Sequence, residues 1–480
     1  MSKSIKQNFL FNILLNISKV IFPLVTAPYV SRVLEPDGLG LSNFANTYAN
    51  WFAMFAALGI PFYGLREVAK IGNNVEEQTK FVSEIISISV ISTMVCSIIM
   101  FLTLLFVPQL NENYIIFLVA GILLYTTPFK IDWYFSGKED FGFITLRSLI
   151  IKTLSVILLF VFVHEKSDLL LYVALNASCL VLNEIWNFAK LYQHGIHPHF
   201  SLSGKRHLKH LLILFSSSVA VSIYSILDTL MLGFLSNYSE VGYYNCATHI
   251  SKAMLPIATS LAAVVIPRLS QYMKSGNWLQ ITELANKSLS IVSFLCFPLA
   301  IGMACIAPTF VPLFLGEQYY GAILPLQIVV FIVVSIGLNN LTGVQILVGL
   351  GFDNLFLYSV LVGSVSNFIL NIFLIPSYGA SGAAFASVFA ETIILFVTNW
   401  FVSKKTPIRF VNKTEHITNV LLALLFIPIT CVIRYLFNNW MFVFLDIFVL
   451  SIFYIVTQYI FNNPSERIII HFLSSKLIKH

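Results

Sequence analysis

Charge is what this chain has least of. Only 10% of its 480 residues are Asp, Glu, Lys or Arg, against about 25% in soluble domains. That scarcity excludes a string of water-exposed domains. Paired cysteines are missing as well. Cys96, Cys179, Cys246, Cys296, Cys305 and Cys431 all fall inside apolar runs and form no CxxC. This excludes a disulfide or zinc framework and leaves apolar buried thiols. No phosphate-cradling glycine loop, nucleotide motif or triad spacing occurs. The chain therefore offers no catalytic residue, no cofactor and no ATP-driven step, and it does not read as an enzyme. Long loops are absent too. None exceeds roughly 20 residues, too short for a separate folded domain, so function must lie within the hydrophobic segments.

Hydrophobic residues make up 58% of the chain. Runs of about 20 apolar residues, the length that spans the hydrocarbon, recur from end to end. They predict an all-α polytopic membrane protein of about 14 transmembrane helices. The spans lie near 9–30, 41–63, 82–107, 114–135, 146–163 and 169–192, then 211–235, 241–266, 289–307, 323–348, 355–376 and 382–401, and finally 417–437 and 441–461. Lys3 and Lys6 precede the first run as in a secretory signal. That run is too long for a signal core and ends in no small-x-small cleavage site, so it reads as an uncleaved first span.

Numbering the loops alternately from a cytoplasmic N-terminus sorts the basic residues. One set runs from Arg66 and Lys70 through Arg147, Lys205 and Arg206 to Arg409 and Lys413; the other holds only Arg32 and Lys166. This positive-inside asymmetry explains the net charge of +6 without a nucleic-acid partner. It also places both termini, including Arg467, Lys476 and Lys479, on the cytoplasmic side.

An internal repeat is visible. Leu39-Gly40, Asn43, Ala45 and Arg66 align without gaps on Val241-Gly242, Asn245, Ala247 and Arg268. Gly137 before the fifth span has counterparts in Gly349 and Gly351 before the eleventh. An even number of spans separates equivalent points, so the halves run parallel, a transporter signature with the substrate site between them. The expected organisation is an N-terminal lobe over residues 1–200, a C-terminal lobe over 201–405, and two extra spans with a cytoplasmic tail over 406–480.

An ionisable side chain in mid-membrane is a functional-site hypothesis by default. Lys19 and Lys252 lie near the middles of the first and eighth spans, too central to snorkel cheaply. They are expected to face a wet cavity between the halves, and a cationic cavity implies an anionic cargo. Lys130 and Lys152 lie somewhat nearer the cytoplasm. Glu391 is central in the twelfth span, Asp228 is in the outer part of the seventh, and Asp132 and Glu184 lie nearer the cytoplasmic face. Lys130 with Asp132 reads equally as a structural pair or as part of the cavity; Arg434 with Asp446 reads as a structural pair. His194, His197, His199, His207 and His210 crowd one cytoplasmic loop without zinc spacing, so no metal site is expected and the loop reads as solvated.

The segment Arg32-Val33-Leu34-Glu35-Pro36-Asp37-Gly38-Leu39-Gly40, then Leu58-Gly59 and Leu65-Arg66-Glu67-Val68-Ala69, resembles the opening of the Wzx-type polysaccharide flippases. These belong to the multidrug/oligosaccharidyl-lipid/polysaccharide exporter superfamily. Asp228 with Gly233 and Val241-Gly242-Tyr243-Tyr244 resembles the same family, as do Leu315-Gly316-Glu317-Gln318-Tyr319, Asn367, Asn371, Ile375-Pro376, Gly379 and Gly382-Ala383-Ala384. Each motif is short, but together they cover nearly the whole chain in order.

The resemblance implies two six-helix lobes that rock around a central cavity. It also implies transport of an undecaprenyl-diphosphate-linked oligosaccharide from the inner to the outer leaflet of a bacterial cytoplasmic membrane, for O-antigen, capsule or exopolysaccharide assembly. Lys19 and Lys252 would then contact the diphosphate or acidic sugars, with Arg32 at the outer mouth and the lipid tail between the first and eighth spans. Asp228 and Glu391 become candidates for ion coupling. Implied partners are the lipid-linked glycan, membrane lipid, a polysaccharide polymerase and a chain-length regulator. A drug/cation antiporter of the superfamily would carry an acid in the first span, where this chain has Lys19. A lipid II flippase fits the loop motifs less well than the polysaccharide branch. A membrane-embedded polymerase or ligase would need a sizeable outer loop.

Overall fold

A computed structural model describes residues 5–411, 413–436, 441–461 and 463–464, and among them there are helices and no β-strands. Nine of the helices are long and apolar enough to cross a membrane. Two of these, Ile5–Ala57 and Asp353–Lys405, each merge two of the expected spans across a non-helical residue, Glu35 (φ 58°) and Gly379 (φ 51°). The fourth expected span corresponds to the shorter apolar helix Tyr114–Phe129, and the seventh lies within helix Lys205–Leu235. The eighth is broken into Tyr238–Lys252, Leu255–Thr259 and Ala262–Lys274. The 14-span reading thus accounts for every long helix. Large apolar side chains such as Phe106, Phe373 and Phe396 point outward, as lipid-facing residues must. Arg467, Lys476 and Lys479 lie outside the described residues.

Contacts divide the chain into two compact units, residues 1–242 and 243–480. In the first, the turn at Glu35 precedes Pro36 and is held by Lys166, whose Nζ lies 2.9 Å from Glu35 Oε2. Helix Val75–Phe106 begins where Asn74 accepts the Glu77 N–H at 3.2 Å, with Glu76 and Glu77 in its first turn, where the helix dipole favours acids. An aromatic-rich core of Tyr63, Phe81, Trp133, Tyr134 and Phe135 lies where the ends of helices Ile60–Ile71, Val75–Phe106 and Asp132–Gly137 converge.

The histidine-bearing segment is docked against this core, which corrects the expectation of a solvated loop. His207 is buried. Its Nε2 lies 2.7 Å from Glu84 Oε2 and its Nδ1 2.7 Å from Tyr63 Oη. Arg206 adds a 2.8 Å bond to the same carboxylate oxygen, and Ser83 and Ser87 accept the backbone N–H groups of His199 and Ser201. Glu84 is the cause. A carboxylate 1% exposed needs charged or N–H partners, and this segment supplies them.

In the second unit, helix Trp278–Leu315 is the post to which the last two spans are tied. Its Ser293 accepts from Asn419 Nδ2 at 3.1 Å, and Tyr454 donates to the carbonyl of Phe294 at 3.1 Å. Ile301, Leu422, Phe426 and Leu450 fill the space between. The expected Arg434–Asp446 pair does not form. Arg434 donates to the Cys305 carbonyl at 3.1 Å, whereas Asp446 accepts from Thr430 at 3.3 Å.

Candidate functional site

Lys252 sits at a break in the eighth span, and the sequence explains the break. A helix would bond the Lys252 carbonyl to the N–H four residues on, but that residue is Pro256, which has none. The helix stops at Lys252, Ala253 and Met254 form a turn, and a new helix starts at Leu255. Lys252 is exposed and stands at a helix C-terminus, where the backbone dipole favours a cation. Discontinuous helices of this kind build ion and substrate sites in transporters. Lys19 has the same relation to Pro23. Its backbone lies in helix Ile5–Ala57, but its side chain lies outside the described residues. Arg32 is exposed, and its Nη1 donates to the Pro28 carbonyl at 2.7 Å.

Glu391 is 6% exposed. Its Oε2 accepts from Asn339 Nδ2 at 2.7 Å, and the same nitrogen donates to its backbone carbonyl at 2.9 Å. Asn339 ends an α-helix, and the next residues, Asn340–Val348, form a π-helix. Such widened turns concentrate at functional sites. Flanking contacts extend this polar seam: Tyr244 to Ser387 at 2.9 Å, Ser335 to Thr392 at 3.3 Å, and Thr342 to Thr398 at 2.8 Å. The seam gives Glu391 a wired polar environment inside an apolar bundle. Asp228 is also buried, near the C-terminal end of helix Lys205–Leu235.

Elsewhere in the first unit, Asp132 binds Arg147 instead of Lys130. Arg147 Nη2 lies 2.8 Å from Asp132 Oδ1, and Lys130 Nζ donates to the Leu123 carbonyl at 2.9 Å. Asn187 Nδ2 bridges Asp132 Oδ1 and Glu184 Oε2, at 3.1 and 2.8 Å. Arg147, counted from sequence among the loop charges, is 2% exposed. Its Nε and Nη1 have no hydrogen-bond partner among the described residues, while its guanidinium lies 5.4 Å from the Phe143 ring centroid.

Sequence reasoning missed Asn187 and Asn339. The available signal was their position: a carboxamide inside an apolar run must find a partner. Outside the spans, Arg66 and Lys70 both bond Glu67 Oε1, at 3.1 and 3.0 Å. Burial raises the Glu67 pKa, but these two bonds outweigh it and hold the carboxyl below its usual range.

The second unit also contains an apolar groove of about 460 Å³. Its walls include Ile257 on the broken span, Phe294 and Leu299 on helix Trp278–Leu315, and Ile447 and Leu450 on the last span.

The family described as "Polysaccharide biosynthesis protein" matches residues 5–273. The chain is similar to a protein named "Putative O-antigen transporter" from Escherichia coli (strain K12). The two are 24% identical over 407 residues, covering 83% of this chain and 97% of the relative. A protein of the same name from Shigella dysenteriae is 21% identical over 81% of this chain and 98% of its own length. Among solved structures, the fold resembles "Lipid II flippase MurJ, inward closed conformation", with a TM-score of 0.76 at 16% identity over 94% of this chain and 98% of that one. An inward-facing multidrug resistance MATE transporter of the MOP superfamily gives a TM-score of 0.61 at 15% identity over 80% and 94%. The chain is a multi-pass membrane protein that belongs to the polysaccharide biosynthesis protein family, in keeping with the Wzx-type resemblance of its loop motifs.

Proposed function

We propose that this protein is a flippase for undecaprenyl-diphosphate-linked oligosaccharide repeat units. It would carry them from the inner to the outer leaflet of the bacterial cytoplasmic membrane, by alternating access and coupled to an ion gradient. Both termini would be cytoplasmic. The observation that carries the reading is Lys252 at a proline-induced break in a membrane-spanning helix, in a member of a polysaccharide biosynthesis family. A cation held at mid-membrane suits an anionic headgroup, and Lys19, with the same proline spacing, supplies a second. Arg32 lies near the outer end of the first span, where it would meet the headgroup as it leaves. The apolar groove beside Ile257 suits a prenyl chain. Asp228 and the wired Glu391 are the candidates for the coupling ion. A polymerase and a chain-length regulator would act on the product.

The test is analysis of undecaprenyl-linked intermediates in a deletion strain that keeps its upstream glycosyltransferases. Complete lipid-linked repeat units should accumulate facing the cytoplasm, and their glycan identifies the cargo. If they reach the outer leaflet and merely stay unpolymerised, the protein acts after translocation and the flippase reading is wrong.

A further inference from the structure

The first unit contains a pocket with several polar side chains in its lining. It lies among helices Ile5–Ala57, Phe141–Phe162 and Leu169–Gln193 and encloses about 250 Å³. Its lining includes Lys152, Ser155, Asn176, Tyr172, Thr26 and Phe22. Lys152 is six residues beyond the start of the expected span 146–163, about 9 Å along the axis, so it stands inside a hydrocarbon layer of about 30 Å. Its Nζ donates to Ser18 Oγ at 3.2 Å and lies 5.7 Å from the Phe22 ring centroid. Among the described residues it is the only charged one in the lining, which has no acid.

Two other lining groups are unspent. A helical serine ordinarily donates to a carbonyl one turn back, as Ser178 does to Ala174 at 2.7 Å. The Ser155 hydroxyl makes no such bond, and the Asn176 carboxamide makes no hydrogen bond among the described residues. Unsatisfied polar groups at membrane depth are costly, and here a hydroxyl and a carboxamide share one cavity with the Lys152 ammonium. The volume equals about eight waters, room for a single sugar ring or phosphoryl group and too little for a whole repeat unit.

We propose that this pocket binds one anionic glycosyl or phosphoryl group of a membrane-embedded ligand. Lys152 would take the charge, and Ser155 and Asn176 would hydrogen-bond the neighbouring oxygens. The inference rests on the transport reading above and adds to it a specificity subsite within a single unit.

The experiment measures binding to the full-length protein in nanodiscs. The probes are undecaprenyl diphosphate, which has phosphoryl groups and no sugar; octyl glucuronide, which has an acidic sugar and no phosphate; and neutral octyl glucoside. At least one anionic probe should bind more tightly than the glucoside. Lys152→Gln should weaken that probe about tenfold or more, and Lys152→Arg should retain it. Loss confined to undecaprenyl diphosphate assigns the phosphoryl group; loss confined to the glucuronide assigns an acidic sugar. Should Lys152→Gln not fold, the double variant Ser155→Ala with Asn176→Ala must show the loss instead. Unchanged affinity for both anionic probes in the folded variant, or a preference for the glucoside, overturns the pocket. That failure is separable from failure of the transport reading. Binding can be independent of Lys152 while the deletion strain still accumulates lipid-linked units, and the reverse can also hold.

Discussion

Gly40 and Gly242, placed in register by the internal repeat, pack backbone against backbone. A Cβ on Gly40 would overlap the Tyr238 carbonyl oxygen and lie 2.9 Å from the Gly242 nitrogen. A Cβ on Gly242 would overlap the Pro36 carbonyl oxygen. Neither obstacle is a flexible side chain, so relief requires a backbone shift. Gly40→Ala and Gly242→Ala should each cost about 3 kcal/mol, the upper end for overpacking. Thermal unfolding of the detergent-solubilised protein checks this. Unchanged melting in both variants would mean that the close approach is absent.

The repeat was legible because a glycine needed for close approach leaves its mark in sequence, at Gly40 and again at Gly242. Span positions were legible because lipid demands long apolar runs. What could not be read was which face of a helix a residue occupies. Arg147 counts equally well as a loop charge or as a buried cation, because it falls at a span edge. His207 looked solvated in a basic loop, because its partners Glu84 and Tyr63 are more than a hundred residues away. The break at Lys252 was within reach, since Pro256 is in plain view; the π-helix at Asn340–Val348 was not, because no residue type requires one.

Removing Asp132 would leave Arg147 buried without its carboxylate. A broken buried pair costs roughly 3–5 kcal/mol, and the Asp132 side chain is half exposed, so Asp132→Ala should cost about 3 kcal/mol or less. The double variant Asp132→Ala with Arg147→Met removes the stranded charge and should recover most of that loss. Unfolding midpoints of the two single variants and the double variant form the cycle. Simple additivity would show that the two residues do not act as a pair.

His194 follows helix Leu169–Gln193, beyond the expected sixth span. Burial lowers its pKa, and Lys190 lowers it further. Lys138 acts in the same direction, Asp140 opposes it, and the Tyr134 hydroxyl and the Phe135 ring complete its surroundings. The folded state therefore holds fewer protons than the unfolded state. The stability involved is fully present above the unfolded pKa of about 6.5 and is lost as pH falls toward the folded value. Melting temperature should drop between about pH 7.5 and pH 5.5, and His194→Gln should reduce the drop. An equal drop in the variant would assign the pH dependence to other groups.

Glu391 offers a separation of charge from packing. Glu391→Gln keeps the size of the side chain and an oxygen for Asn339 while removing the charge. If Glu391 carries the coupling ion, lipid-linked glycan should still equilibrate across proteoliposomes, but an imposed proton or sodium gradient should no longer accelerate it. Asn339→Ala instead leaves the carboxylate short of a donor and should destabilise the fold by about 1–3 kcal/mol. Gradient-driven transport intact in Glu391→Gln would remove Glu391 from the coupling pathway and leave Asp228 as the candidate.

Lys252 makes the sharpest demand on the flippase reading, because its charge stands at the end of a broken helix. If that charge binds an anionic headgroup, Lys252→Ala should lower transport at least about tenfold, the equivalent of one lost charged contact. Lys252→Arg should keep most of it. Equal loss in both would mean that the span needs the lysine for its shape. Water access is tested separately, with single cysteines at positions 19 and 252 in a background lacking the six native ones. Both should react with a membrane-impermeant thiol reagent in inside-out or right-side-out vesicles. Two sites that stay unlabelled in both orientations cannot line an aqueous path, and the anionic cargo would then have to meet its cations elsewhere in the bundle.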